Sequence, residues 1–187
     1  MVRQSYWHCN GFAKIKLVVA PRFCVRLHVW PAGQGRGEAI NPHGHRWEFA
    51  SWVAAGQGML ERWFEETADS GDGSSAHDRY EYGPGSLRPN GGVWLREQSS
   101  RIRQPGTVYT CTGNTTHTVA PLGRELVATL VLQGPVRADS ARVYVPPERS
   151  PQGSERPMLA ADLHDLLIDA ETAIGQSSHA EGLESPA

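Results

Sequence analysis

From Phe12 to Leu132 the chain is a succession of short β-type runs. Ile15 to Ala20, Phe23 to Trp30, Trp47 to Ala54, Met59 to Phe64, Gly92 to Glu97, Thr107 to Cys111, Thr115 to Val119 and Glu125 to Leu132 are each cut off by Gly, Pro or Asn. Many short strands separated by turn residues make an antiparallel sandwich or barrel. Strands do not alternate with long helical patterns, and no Gly-x-Gly-x-x-Gly opens a helix, which excludes a nucleotide-binding α/β domain. With 187 residues and a mass of 20.5 kDa, the chain suits one domain with a sizeable core.

The β pattern continues through Arg142 to Val145 and stops at Pro146 and Pro147. Leu159, Leu163, Leu166, Leu167, Ala170 and Ile174 then recur on one helical face, with Ser154 or Pro157 as the start signal and Gly175 as the stop. The expected organisation is a β-barrel over 1–147, a Pro/Ser/Gly linker over 148–156, an amphipathic helix over 157–175 and a disordered tail over 176–187. The helix's Leu stripe would pack on the barrel or on a second subunit. Within the barrel, the polar stretch Glu65 to His77 reads as a solvated loop, with a lid over the barrel mouth as the alternative.

Eighteen Lys plus Arg against twenty Asp plus Glu give a net charge of -2, without a basic block to follow a phosphate backbone, so nucleic acid is not expected as a partner. No run reaches the roughly 18 to 20 apolar residues needed to cross a bilayer, and MVRQSYWHCNG lacks a signal-peptide core. A cytoplasmic protein is expected. Cys9, Cys24 and Cys111 form no close pair, as a reducing compartment allows. Six tryptophans, at 7, 30, 47, 52, 63 and 94, together with the Leu stripe, suggest a homodimer interface or a ring-lined cavity.

Chemistry concentrates in Asn41-Pro42-His43-Gly44-His45-Arg46-Trp47. On an extended segment His43 and His45 share a face, so both imidazoles can reach one divalent ion. His117 is the best third ligand, beside the Gly113-Asn114 turn. An antiparallel barrel brings such distant hairpins together.

Gly37, His43-x-His45, Val53 and Gly56 resemble the first motif of the cupin superfamily, and Pro105-Gly106 followed by His117 resembles its second. The resemblance covers about residues 12 to 145. It implies a cupin-type β-barrel (jelly roll) with His43, His45 and His117 as metal ligands. The family's usual carboxylate ligand is replaced by Phe49, and period 2 turns the neighbouring Glu48 away from the histidine face. A neutral three-histidine site is therefore expected, leaving a bound dication with more net charge to draw an anion.

A narrower resemblance, over roughly Gly11 to Pro147, is to the cysteine dioxygenase branch of the cupins. It implies Fe(II) on three histidines, with Zn, Ni or Mn as other divalent ions. Lys14, in Phe12-Ala13-Lys14, matches that branch's carboxylate-binding arginine. The branch's Ser, His and Tyr network matches Thr129, Val131 and Gln133, so only a hydroxyl survives and thiol oxidation is not implied.

The residues therefore suggest a non-haem iron oxygenase acting on a small carboxylate-bearing or aromatic metabolite with dioxygen. A non-redox isomerase, cyclase or lyase is the alternative, and a non-catalytic small-molecule-binding cupin is the third reading. Tyr109, Lys14 and His28 are the candidate catalytic residues. Trp30, Trp47, Phe49 and Trp94 would form an apolar wall. Arg26 and His28 line the pocket only if the polar side of their strand faces inward. Arg46 is expected to pair with Glu48 or Glu97, Glu61 and Arg62 read as strand-face charges, and His8, His77, His164 and His179 read as loop, helix-surface or tail residues.

Overall fold

The structure, a computed structural model, describes residues 4–33, 40–71, 73–83, 86–151 and 155–181. Twelve strands precede one helix: β1 (Tyr6–His8), β2 (Phe12–Val19), β3 (Cys24–Trp30), β4 (Trp47–Ala55), β5 (Met59–Thr67), β6 (Ser74–Gly83), β7 (Ser86–Arg103), β8 (Val108–Cys111), β9 (Thr116–Pro121), β10 (Val127–Val136), β11 (Ala141–Val145), β12 (Arg156–Pro157) and α1 (Ala160–Glu181). They form a seven-stranded sheet in the order β12-β1-β2-β3-β10-β4-β8 and a five-stranded sheet in the order β11-β6-β7-β5-β9, with every pairing antiparallel. This is the expected all-β jelly roll with a C-terminal helix.

The turn residues act where the sequence places them. Gly56 and Gly58 both have φ +99°, and a Cβ on Gly56 would lie 2.6 Å from the Leu126 carbonyl oxygen, so the turn from β4 in the larger sheet to β5 in the smaller one needs glycine there. The Gly113-Asn114 turn joins β8 to β9. Gly37 lies outside the described residues.

The two faces of the larger sheet divide the labour. Ala13, Ile15, Leu27, Val29, Ala55 and Ala128 form its outer apolar face, and Leu163, Leu166 and Ala170 of α1 pack on it. The Leu stripe is thus used within the chain, which removes it as a reason to expect a second subunit. Leu167 and Ile174 pack partly buried against the same face, whereas Leu159, ahead of the helix, is exposed. The opposite face of the same sheet looks into the barrel.

Several expectations are corrected. The polar loop Glu65 to His77 is mostly strand: β5 runs to Thr67 and β6 starts at Ser74, so what remains is a short turn between two strands that flank β7, and not a lid. Asp69 forms that turn, accepting from the Gly71 N–H while its carbonyl accepts from Thr67. The Gly92 to Glu97 strand extends to the eighteen residues of β7, because long cross-strand pairing carries polar residues that local composition would leave in a loop. The helix begins at Ala160 and passes through Gly175 to Glu181, overriding the glycine stop and ordering the start of the expected tail; residues 182–187 lie outside the described residues, as does Ser154. Among the described residues no helix is long and apolar enough to cross a membrane.

Because Leu166 is 6% exposed between the helix and the sheet, Leu166→Ala should lower unfolding free energy by about 2–5 kcal/mol. Urea denaturation followed by circular dichroism measures this, and an unchanged midpoint would mean that the helix is not part of the cooperative fold.

Candidate metal centre

The segment before β4 enters the smaller sheet as a single extended stitch. His43 and His117 exchange two backbone hydrogen bonds, each 3.0 Å, and His43 also bridges to Val143 of β11. Gly44 N–H donates to the Arg142 carbonyl at 2.8 Å, and Tyr144 N–H donates to Pro42 at 2.9 Å. The edge strands β9 and β11 are therefore joined through His43, closing the five-stranded sheet around its interior.

This stitch brings the three histidines together. The ligating atoms of His43, His45 and His117 lie within 4.8 Å of one another. The ring centroids of His43 and His117 are 5.4 Å apart, and those of His45 and His117 are 5.1 Å apart. His117 is 1% exposed. Burial pushes the His43 imidazole down to about 4 and that of His45 well below its ordinary value, with the neighbouring imidazoles adding to the effect, so both are neutral lone-pair donors at neutral pH.

The back of each ring decides which nitrogen faces inward. His43 Nδ1 lies 2.9 Å from the Asn41 carbonyl oxygen, which only accepts, so Nδ1 carries the proton and Nε2 is free. His117 Nδ1 lies 2.9 Å from Glu61 Oε1, a carboxylate acceptor, so Nδ1 carries a proton and Nε2 faces the cluster. His45 Nε2 lies 2.9 Å from His117 Nε2. Two nitrogens each about 2.0–2.1 Å from one ion at a near-right angle stand about 3 Å apart, so the spacing suits a shared ion. Three imidazoles fit Fe, Ni, Cu or Zn better than Mg or Ca.

Glu61 reads in the sequence as a strand-face charge, and the structure reverses this. Its side chain is 0% exposed, and its second oxygen accepts from Arg103 Nε at 2.8 Å. Arg103 in turn lies over the rings of Trp63 and Tyr109, with 5.3 and 4.9 Å from guanidinium carbon to centroid. The signal for Glu61 was its parity with Met59 and Trp63 on β5, since Trp63 pairs directly with His117. Arg103 gives no comparable signal, because it ends a long, exposed strand.

Phe49 occupies the place of the missing carboxylate. Its ring lies 4.9 Å from His45, 6.1 Å from His117 and 6.2 Å from Tyr109, while Glu48 is exposed, as period 2 required. Tyr109 is buried behind Phe49, and burial raises its hydroxyl to about 12. Cys111 shares its parity and places Sγ 4.0 Å from His117 Nε2. Arg46 does not pair with Glu48 or Glu97; its Nε donates to the Ala138 carbonyl, and Glu97 faces Arg62.

The polar side of β3 faces inward. Arg26 is buried, and its guanidinium carbon lies 5.3 Å from the Trp47 ring, which is 6.2 Å from His45. His28 is stacked near Phe12 at 4.9 Å and stands directly opposite Lys14 in the β2–β3 register. Lys14 lies 5.4 Å from the Tyr6 ring, and burial, with Arg26 adding to it, lowers its ammonium to about 7. Lys14, His28 and Arg26 thus share the barrel interior with the histidine cluster. Tyr109 meets it indirectly, through Phe49 and through the Arg103–Glu61 pair behind His117.

Three further sequence readings change. His8 is on β1, stacked on Phe12 at 4.6 Å, and burial holds its imidazole neutral. His77 is a buried β6 residue with Nδ1 3.1 Å from the Ser75 carbonyl oxygen. Trp94 pairs with Thr67 and Ala76 and alternates with the fully buried Leu95, so it forms no wall of this site, whereas Trp30, Trp47 and Phe49 do.

No family model and no curated protein matches the chain. Among solved structures it is similar to the Cnp3 cupin domain of Schizosaccharomyces pombe, at 11% identity over 72% of this chain and 67% of that one, with a TM-score of 0.40. It is also similar to TT1209 of Thermus thermophilus, at 16% identity over 71% and 91% with a TM-score of 0.40. A third is an RmlC-like cupin family protein of Methanocaldococcus jannaschii, at 11% identity over 68% and 84% with a TM-score of 0.38. The architecture itself is defined by the strand order and the histidine stitch of this chain. The fold is an all-β antiparallel jelly roll with a C-terminal helix. In this barrel the three-histidine cluster is suited to a divalent metal.

Glu61→Gln keeps a hydrogen-bond acceptor for His117 but removes the charge, and should weaken binding of Zn or Fe(II) about 10- to 100-fold; competition with a chromophoric chelator measures it. In chelator-treated protein, the neutral histidines also fix a pH response. His43 protonates at 6.5 when unfolded but at about 4 when folded, so between these values the unfolded chain binds more protons and stability falls as pH drops. Urea midpoints between pH 7 and 4 should decrease, with a weaker decrease in His43→Gln.

Proposed function

We propose that this chain is a metal-dependent enzyme in which His43, His45 and His117 hold a divalent ion, and that it transforms a small anionic substrate without net redox change, as an isomerase, cyclase or lyase. The observation that carries the reading is the convergence of three imidazoles, two of them fixed from behind with Nε2 directed inward. When bound, the ion supplies Lewis acidity to a substrate oxygen.

The chain's own residues provide the remaining functions. Lys14 and His28 bind and orient the anionic end of the substrate from the opposite side of the interior. Phe49 and Trp47 exclude water beside His45. Lys14, with its ammonium lowered to about 7, exchanges a proton at neutral pH and is the group best suited to moving one at Nζ. Tyr109 keeps its proton and supports the Phe49 wall. This concentration of proton-handling groups favours the non-redox reading.

An oxygenase, as the cysteine dioxygenase resemblance implies, is the second reading. It is favoured by the apolar Phe49 and Trp47 beside a three-histidine set, which on iron leaves positions for substrate and dioxygen. A cytoplasmic location and a homodimer belong to the same proposal and are checked by fractionation and light scattering; a binding-only role is the third reading, which turnover rejects.

Replacing His43, His45 or His117 by alanine should remove most bound metal, measured by mass spectrometry, while Glu48→Ala retains it. Full occupancy in His117→Ala would overturn the site. Dioxygen uptake against a panel of amino acids, small thiols and aromatic acids separates the two readings, and no uptake is expected. For an anionic substrate that is turned over, Lys14→Ala should reduce kcat/KM about ten- to a hundred-fold with unchanged metal content.

A further inference from the structure

We propose that Arg26 is the recognition point for an oxyanion of the substrate, a carboxylate or phosphate group seated in the barrel interior beside Trp47. This deepens the proposed function and rests on it only for the end of the ligand that faces the histidines.

Arg26 is 5% exposed and has no carboxylate within ion-pair distance among the described residues. A guanidinium so placed is retained against a strong desolvation penalty unless an anion meets it. Its Nε has no hydrogen-bond partner. The same holds for three other buried nitrogens of this interior face: His28 Nε2, Trp30 Nε1 and Trp47 Nε1. Native interiors rarely leave several polar atoms unpaired together.

Stacking does not resolve these groups. The Arg26–Trp47 contact uses the face of the indole, whereas the Arg26 Nε–H and Trp47 Nε1–H project in the planes of their own groups and still require acceptors. The charge balance points the same way. Arg26 and Lys14 face inward, and the one buried carboxylate among the described residues, Glu61, is committed to His117 and Arg103. Glu155 acts on Tyr6 and Lys14 from an exposed position. A planar oxyanion accepts two hydrogen bonds from a guanidinium in one plane, which an ammonium such as that of Lys14 does not offer.

Trp47 also brings the two parts of the interior together. Its ring centroid lies 5.3 Å from the Arg26 guanidinium carbon and 6.2 Å from the His45 ring, so a small oxyanion held by Arg26 stands near the cluster. Benzoate and inorganic phosphate are therefore suitable probes for the two sources of the oxyanion.

The test uses the full chain after chelation, so that it does not depend on metal binding. Calorimetry and tryptophan fluorescence should show saturable binding at one site of benzoate, of phosphate, or of both, identifying which oxyanion is preferred. Arg26→Met should weaken that binding about ten- to a hundred-fold without lowering the melting temperature, since it removes an unpaired charge; Arg26→Lys should recover only part of the affinity. A purely structural Arg26 would instead lower the melting temperature and leave affinity unchanged. If Arg26→Met does not fold, Arg26→Gln provides the same comparison, and Trp47→Phe independently removes one donor while keeping the ring. Absence of saturable binding of both probes to the wild-type chain, or equal affinity in the folded Arg26 and Trp47 variants, overturns the proposal. Loss of metal binding in the same preparations would overturn the metal reading alone.

Discussion

The pair of backbone hydrogen bonds between His43 and His117 is the constraint on which the rest of the structure depends. It joins two residues seventy-odd positions apart, closes the smaller sheet through a segment that belongs to neither edge, and places both ligands in the interior at once. Backbone groups at a sheet edge otherwise need water or another strand. Here the edge is closed by the residues that carry the chemistry, so metal-site geometry and barrel closure are the same structural event.

Closing the barrel in this way creates an electrostatic demand. The interior holds Arg26, Lys14 and several imidazoles, and burial pushes the imidazoles of His8, His28, His43 and His45 down so that they stay neutral. The chain meets part of that demand at Glu61, which receives Arg103 on one oxygen and His117 on the other. The pairing explains why a carboxylate survives full burial in β5: it holds a ligand ring in one orientation and balances a guanidinium at the same time. At Arg26 no such partner exists among the described residues, and the asymmetry between the two arginines separates a self-contained structural network from an interior prepared for a ligand.

What was legible in the sequence follows from the range over which each signal acts. Strands with local alternation, such as β3 and β4, appear with nearly their observed bounds, and the helix stripe correctly marks the face that packs on Ala13 and Leu27. β6 was missed because its residues are polar and half-exposed; it exists through its long ladder with β7, which no local window contains. The His43, His45 and His117 set was legible because the motif spacing and strand parity agree. Glu61 was not, since the same parity rule, applied to β5, competes with the expectation that a Glu-Arg pair is solvated. Arg103 depends on tertiary pairing alone. For Arg26 and His28 the alternation was visible but its sense was not, and it is the helix covering Leu27 and Val29 that turns the polar residues inward.

The ligand rings are consequently not held alike. His43 and His117 are fixed by oxygen acceptors behind their rings, whereas His45 meets the cluster through Nε2, 2.9 Å from His117 Nε2. His45 is also the ring that touches both Trp47 and Phe49. Any adjustment of this imidazole is therefore transmitted to the aromatic wall, and through Trp47 to the face on which Arg26 lies. The three histidines are not equivalent: two form a rigid frame set by the fold, and the third couples the frame to the part of the interior where a ligand would be recognised.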